Sequence, residues 1–185
     1  MFDKETIDSN IIFCTRCELN ELVCNDNTLP QLGFGKLVSK ESSKNDIMIV
    51  GLNPSRNRYE GLRHPFAGGE YFKNDRSGYK FLNIFKELGV FDRCYISNLV
   101  KCSTKDNKVK KKNMIDCFDH LFNEMKYCNP KVILAVGSQV DDFLRTNYIS
   151  AEKIYHPSYC FSYHGIKEQD YKDSIKNILK LKGIL

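Results

Sequence analysis

The sequence predicts an α/β protein: a three-layer α/β/α sandwich around a central, mainly parallel, four-stranded sheet. Three observations carry this prediction. Short, fully apolar runs at Ile47–Val50 and Val132–Val136 have the length and continuity of strands buried on both faces. Between the strand segments stand stretches whose apolar residues recur at helical spacing. Strand and helix alternate four times, the order from which parallel sheets with helices on both faces are built.

Residues 3–17 predict a first helix, with Ile7, Ile11 and Ile12 on one side and a Cys-x-x-Cys at its end. Residues 18–45 read as irregular, broken by Pro30, Gly33 and Gly35, with room for a short strand around Gly35–Val38. The first full strand, 47–51, runs into Gly51-Leu52-Asn53-Pro54-Ser55, a tight turn. A polar loop over 53–76 holds His64-Pro65-Phe66-Ala67-Gly68-Gly69, and a loop of that length inside a domain is usually functional.

Ser77 reads as the N-cap of a helix carrying Phe81, Ile84, Phe85 and Leu88 inward, closed by Gly89. Residues 95–100 predict the second strand. A lysine-rich loop follows, then a helix over 113–127 that Asn129-Pro130 ends. The third strand is 132–137, and Ser138 opens a helix to about Thr146. Lys153-Ile154-Tyr155 is the fourth strand, ending in His156-Pro157-Ser158. An amphipathic helix over about 168–181 closes the chain as a single domain, 1–185.

Charged residues make up 28% of the chain and hydrophobic ones 42%, a globular mix. No apolar run is long enough to span a bilayer, and the N-terminus shows no basic region followed by an apolar core. The expectation is a cytoplasmic protein that makes no membrane contact. A net charge of +5 permits an anionic partner. Lys105, Lys108, Lys110, Lys111 and Lys112 cluster in one loop, which reads equally as a solvated loop or as a phosphate-contacting one. The eight cysteines point to a metal or a cluster in preference to disulfides. Cys14 and Cys17 have the spacing of two thiolates on one centre. Further ligands would come from among Cys24, Cys94, Cys102, Cys117, Cys128 and Cys160.

In open α/β sheets ligands bind beyond the C-terminal ends of the strands. Asn53, Asn98 and His156 all fall there. Asn98 offers a donor and an acceptor in a fixed fork, which suits N3–H and O4 of a pyrimidine. His156 can donate to an oxygen that gains negative charge. Asn53 can hold a water against a carbon, and Phe66 offers a ring face to a flat ligand. Together they suit a planar base leaving as an anion. Each residue has a plainer reading in turn geometry or packing; it is their placement on one rim that favours a site.

These stretches resemble the uracil-DNA glycosylase superfamily, most closely its family 4, the iron–sulfur type. The similarity runs in order through Cys14-x-x-Cys17-x-Leu19, Gly51-Leu52-Asn53-Pro54-Ser55, Pro65-Phe66-Ala67-Gly68, Tyr95-Ile96-Ser97-Asn98-Leu99-Val100-Lys101-Cys102, the helix of Cys117, the strand beginning at Pro130-Lys131, and His156-Pro157-Ser158. It implies a monofunctional DNA glycosylase in base excision repair, a hydrolase of N-glycosyl bonds acting on single- or double-stranded DNA as a monomer. It implies Asn53 and His156 as catalytic residues, and Gly51, Leu52, Phe66 and Asn98 around the base. It implies DNA contacts from Ser55, Lys101, Lys110, Lys111 and Ser158, with Tyr159 and Phe161 as wedges into the gap left by a flipped base. It also implies a [4Fe–4S] cluster on Cys14, Cys17, Cys102 and Cys117, with zinc on the same four cysteines as the alternative.

The chain departs from family 4 at one place. Leu52 stands where that family carries a catalytic glutamate, and Asn53 resembles the water-positioning asparagine of the single-strand-selective and mismatch-specific branches. Ser55, following Pro54, is small, so a pocket accepting other deaminated or modified bases is a second reading. A non-catalytic nucleic-acid binder is a third.

Overall fold

Residues 3–19, 30–35, 45–54, 76–104 and 108–185 are described by a computed structural model of the chain. They form five strands and five α-helices. The strands are β1 (Phe34–Gly35), β2 (Ile47–Gly51), β3 (Cys94–Asn98), β4 (Val132–Val136) and β5 (Glu152–Ile154). The helices are α1 (Lys4–Ile12), α2 (Arg76–Glu87), α3 (Lys111–Cys128), α4 (Ser138–Thr146) and α5 (Glu168–Leu181).

The sheet order is β1-β3-β2-β4-β5. β2 lies at the centre, parallel to β3 and to β4, and β5 runs parallel to β4. The fifth strand, β1, pairs antiparallel with β3 through Phe34 and Gly35. The four-stranded expectation is therefore corrected to five, with one short antiparallel edge. Gly33 and Gly35 let this edge approach closely: a Cβ at Gly33 would come within 2.4 Å of Glu124 Oε1 and 2.5 Å of the Tyr95 hydroxyl.

The two-residue period of a strand divides the core. Met48, Val50, Tyr95 and Ala135 turn to one face, where α3 and α4 supply Met114, Cys117, Leu121, Val140 and Leu144. Ile47, Ile49, Leu134 and Val136 turn to the other, against Phe81, Ile84 and Phe85 of α2 and Tyr171, Ile175 and Leu179 of α5. Both faces are covered, so β2 has no polar side and reads as a continuous apolar run. α1 packs outside α3, with Ile7 and Ile11 buried beside Leu32.

The helix ends follow local chemistry. Asp3 caps α1 by accepting from the Thr6 N–H at 2.7 Å. α1 stops at Ile12, short of the expected residue 17, because the chain turns at Phe13 and Cys14, whose N–H groups bond back to Ser9 and Ile11. Ser77 lies within the first turn of α2 and is not its cap; its hydroxyl meets that of Ser162 at 3.1 Å. Gly89 (φ 70°) follows α2, and Asn129 (φ 45°) ends α3 in the left-handed region that asparagine tolerates. Among the described residues no helix is long and apolar enough to cross a membrane.

Candidate active site

β2, β3, β4 and β5 run parallel, so their C-terminal ends share one rim. Gly51 stands directly opposite Asn98. Pairing continues past both strands, with the Leu99 N–H donating to Gly51 O and the Val100 N–H to Leu52 O, each at 2.8 Å. Leu52 is half-buried against the apolar cluster and can do no acid–base work.

Asn53 follows, half-buried, on the rim. Its Nδ2 donates to Pro54 O at 3.0 Å and to Thr104 Oγ1 at 3.5 Å. With the amide nitrogen committed inward, the acceptor Oδ1 is on the opposite side of the carboxamide. Holding a water for attack on carbon needs such an acceptor.

Asn98 is 4% exposed, and its Nδ2 donates to Gln31 Oε1 at 3.1 Å. Its main-chain oxygen accepts from Lys101 Nζ at 2.7 Å. That ammonium is itself buried. It donates to Ser97 Oγ (2.7 Å) and forms an ion pair with Glu124 Oε2 (2.6 Å), both partners at most 2% exposed. The same carboxylate accepts from Ser97 Oγ, the Tyr95 hydroxyl and the Gly33 N–H. Lys101 has three donors and all three are used. It is therefore corrected from a DNA contact to an internal strut beneath Asn98.

His156 is exposed just beyond β5. Its Nδ1 accepts the Ser158 N–H at 3.2 Å. A nitrogen that accepts carries no proton, so the neutral ring holds its proton on Nε2, which is a donor. Proline at 157 and the turn it opens bring the Ser158 N–H back to the ring. Behind His156 lies Gly137 (φ 91°), where a Cβ would stand 4.0 Å from the histidine Cβ.

After Ser158 the chain makes a π-helical turn, Tyr159–Tyr163. Tyr159 is exposed, stacked on Tyr155 with centroids 5.4 Å apart, and its other neighbour is His164 at 4.0 Å. Phe161 instead turns inward, edge-on to the buried Tyr171 at 5.4 Å. It is corrected from a wedge to a packing residue, while Tyr159 keeps a surface position. Lys110 and Lys111 are exposed at the N-terminus of α3, where the helix dipole adds to their positive field. Lys110 also reaches Glu18 at 3.4 Å. Phe66 and Ser55 lie outside the described residues.

The Cys14–Cys17 turn lies against α3. Arg16 pairs with Asp119 at 2.9 Å, and Leu19 is buried in the cluster that holds Cys102 and Cys117, with Cys17 packed against it. Burial raises the Cys17 and Cys117 thiols above their ordinary range, and Cys14, Cys17 and Cys117 are near enough to act on one another electrostatically. One helical turn on from Cys117, His120 is buried, with no hydrogen-bond partner for Nε2 among the described residues; burial keeps it neutral down to about 4. Of the four thiols, Cys102 and Cys117 are buried and Cys14 and Cys17 half-buried, and thiolates are the chemistry that ligates iron–sulfur clusters. Among the described residues no three His, Cys, Asp or Glu side chains converge as they would around a single ion. Cys94 and Cys160 sit in the opposite apolar layer, away from this group.

Gln31 and Thr104, which hold Asn98 and Asn53, carry no signal in the sequence. Glu124 stands in it as the last position of the Cys117-Phe118-x-x-x-x-x-Glu124 motif, with no role attached, and a lysine at an apolar strand end calls for such a buried partner.

In α/β proteins with a doubly covered parallel sheet, ligands bind beyond the C-terminal strand ends, the rim where Asn53, Asn98 and His156 stand here. The chain belongs to the uracil DNA glycosylase superfamily, whose family model matches residues 39–180. A search of curated proteins finds no match to it. Membership supports a DNA glycosylase function and DNA as the partner.

Proposed function

We propose that the protein is a monofunctional DNA glycosylase that flips uracil out of DNA and hydrolyses its N-glycosidic bond, leaving an abasic site for base excision repair. The observation that carries this reading is the Ser158 N–H on His156 Nδ1. It leaves Nε2–H as a fixed donor on the rim, suited to the O2 of a departing uracil anion. Fixed donors aimed at developing charge are often the largest single catalytic contribution.

The remaining roles follow from the same rim. Asn98 reads N3–H and O4, Gly51 and Leu52 support the base, and Phe66, outside the described residues, takes the stacking role that the resemblance implies. As the C1′–N1 bond breaks, its electron pair goes to the base, whose charge spreads onto O2. Asn53 Oδ1 holds the water whose oxygen bonds to C1′, and the proton that water loses ends on the base or in solvent. Without a carboxylate at position 52, leaving-group stabilisation carries more of the rate. An abasic lyase needs a free amine; Lys101, the lysine of the rim motifs, is consumed by its buried pair with Glu124, which supports a monofunctional reaction. Lys110, Lys111, Ser158 and Tyr159 face the DNA, and the contact from Ser55 rests on the resemblance alone.

The test is incubation with uracil-containing oligonucleotides followed by alkaline cleavage of abasic sites. Strand breaks at uracil are expected, and Asn53→Ala should lose most of that activity. Asn53→Ala at the wild-type rate would remove it as the water holder. Breaks only at hypoxanthine, xanthine or 5-modified pyrimidines would establish the broader pocket, and no breaks at all a binding protein.

The thiol-only donor set supports a [4Fe–4S] cluster on Cys14, Cys17, Cys102 and Cys117, structural in role. Purified protein should contain iron and acid-labile sulfide in equal amounts, and Cys117→Ala should lose both. Zinc in their place would identify a single-ion site.

A further inference from the structure

Asn98 can recognise a base only if its carboxamide faces the right way. With Oδ1 towards the ring it accepts from N3–H of uracil. Turned over, it would offer a donor instead, which suits N3 of cytosine. The two orientations have nearly the same shape, so packing alone does not choose between them. Something must hold the amide, and its neighbours in the structure show what does.

We infer that Gln31 is a specificity-determining residue, holding the Asn98 carboxamide in the orientation that reads uracil and rejects cytosine; this rests on the proposed glycosylase function. Gln31 Oε1 accepts from Asn98 Nδ2 at 3.1 Å, and both side chains are buried, at 8% and 4% exposure. An oxygen can only accept, so Nδ2 must face it. Gln31 is tied to the same support as Asn98: its N–H donates to Lys101 O at 2.8 Å, while Lys101 Nζ holds Asn98 O. The loop carrying Gln31 leads directly into β1, which pairs beside β3 at Ile96 and Tyr95. Main chain and side chain of Asn98 are thus both fixed, the first by Lys101 and the second by Gln31.

Gln31 touches no reacting atom in this scheme; it acts through Asn98. A joint rotation of both side chains would keep their hydrogen bond and reverse the reading. Glutamate at position 31 removes that option, since a carboxylate accepts on both oxygens. Leucine removes the hold altogether.

The experiment measures kcat/KM of wild type, Gln31→Leu and Gln31→Glu on single-stranded oligonucleotides holding one uracil or one cytosine. Alongside it, the Asn98 side-chain amide resonances and the thermal midpoint of each protein are recorded. Gln31→Leu should narrow the uracil-over-cytosine ratio about tenfold, the discrimination typical of one bidentate base contact, and should speed hydrogen exchange at Asn98 Nδ2. Gln31→Glu should keep the ratio and the slow exchange. The ratio is compared within each protein, so lower stability of a variant moves both substrates together. An unchanged ratio in Gln31→Leu, or a ratio in Gln31→Glu that falls as far as with leucine, overturns the inference while the glycosylase reading stands. Wild-type protein that leaves uracil in place overturns both.

Discussion

Alanine at His156 is expected to slow uracil excision about 10²–10³-fold, the cost of removing one donor from a site that stabilises developing negative charge. The loss should fall on kcat. Uracil O2 gains its charge as the bond to the sugar breaks, so the Nε2–H contact strengthens in the transition state more than in the bound substrate. Single-turnover rates with saturating enzyme separate the two. Stability should hardly change, because His156 is exposed and surface substitutions usually stay within about 0.5 kcal/mol. A loss confined to KM would mean that His156 only grips DNA. A wild-type rate would remove it from the chemistry.

Leucine at Glu124 should have the largest effect on stability, about 3–5 kcal/mol. The change leaves the Lys101 ammonium buried at 2% exposure without its carboxylate, with Ser97 Oγ and Asn98 O as its partners among the described residues. The Tyr95 hydroxyl and the Gly33 N–H lose their acceptor as well. Urea unfolding followed by far-ultraviolet circular dichroism measures the loss; the chain has ten tyrosines and no tryptophan, so tryptophan fluorescence is no help. Lys101→Met combined with Glu124→Leu should recover the part of it that comes from the unpaired ammonium, since an apolar pair of similar volume often replaces a buried ion pair without cost; the part from the Tyr95 hydroxyl and the Gly33 N–H should remain. Recovery of stability without recovery of uracil excision is expected, because Asn98 O still lacks its donor. If the double variant is no more stable than Glu124→Leu alone, the ion pair is not the source of the penalty.

Most of the sheet was legible because its signals are local. The apolar runs of β2 and β4 announce strands covered on both sides, and α4 and α5 begin and end where their apolar spacing does. Asn98 and His156 were legible for the same reason, since each follows a strand run directly. β1 was barely visible: two residues carry no periodicity, and their pairing to Tyr95 and Ile96 is decided elsewhere in the chain. Lys101 was misjudged because a lysine near a lysine-rich loop reads as solvent-facing, while its partner Glu124 sits in the last third of α3. Phe161 and Tyr159 lie two apart in one short turn and look alike in sequence; only the position of Tyr171 on α5 decides which of them points inward. Gln31 lies in a stretch without pattern, and a hydrogen bond to a distant carboxamide leaves no local trace.

The central place of β2 has a consequence for how the protein is made. β2 pairs with β3 on one side but with β4 on the other, Ile47 meeting Val132, and His156 arrives only with β5. A chain emerging from the ribosome therefore carries Asn53 and Asn98 long before the strand that completes their sheet. Such distant parallel pairings close late and slowly. The half-built sheet exposes one edge of its most apolar strand, and the rim that carries Asn53, Asn98 and His156 is not complete until the final third of the chain has been synthesised and has docked.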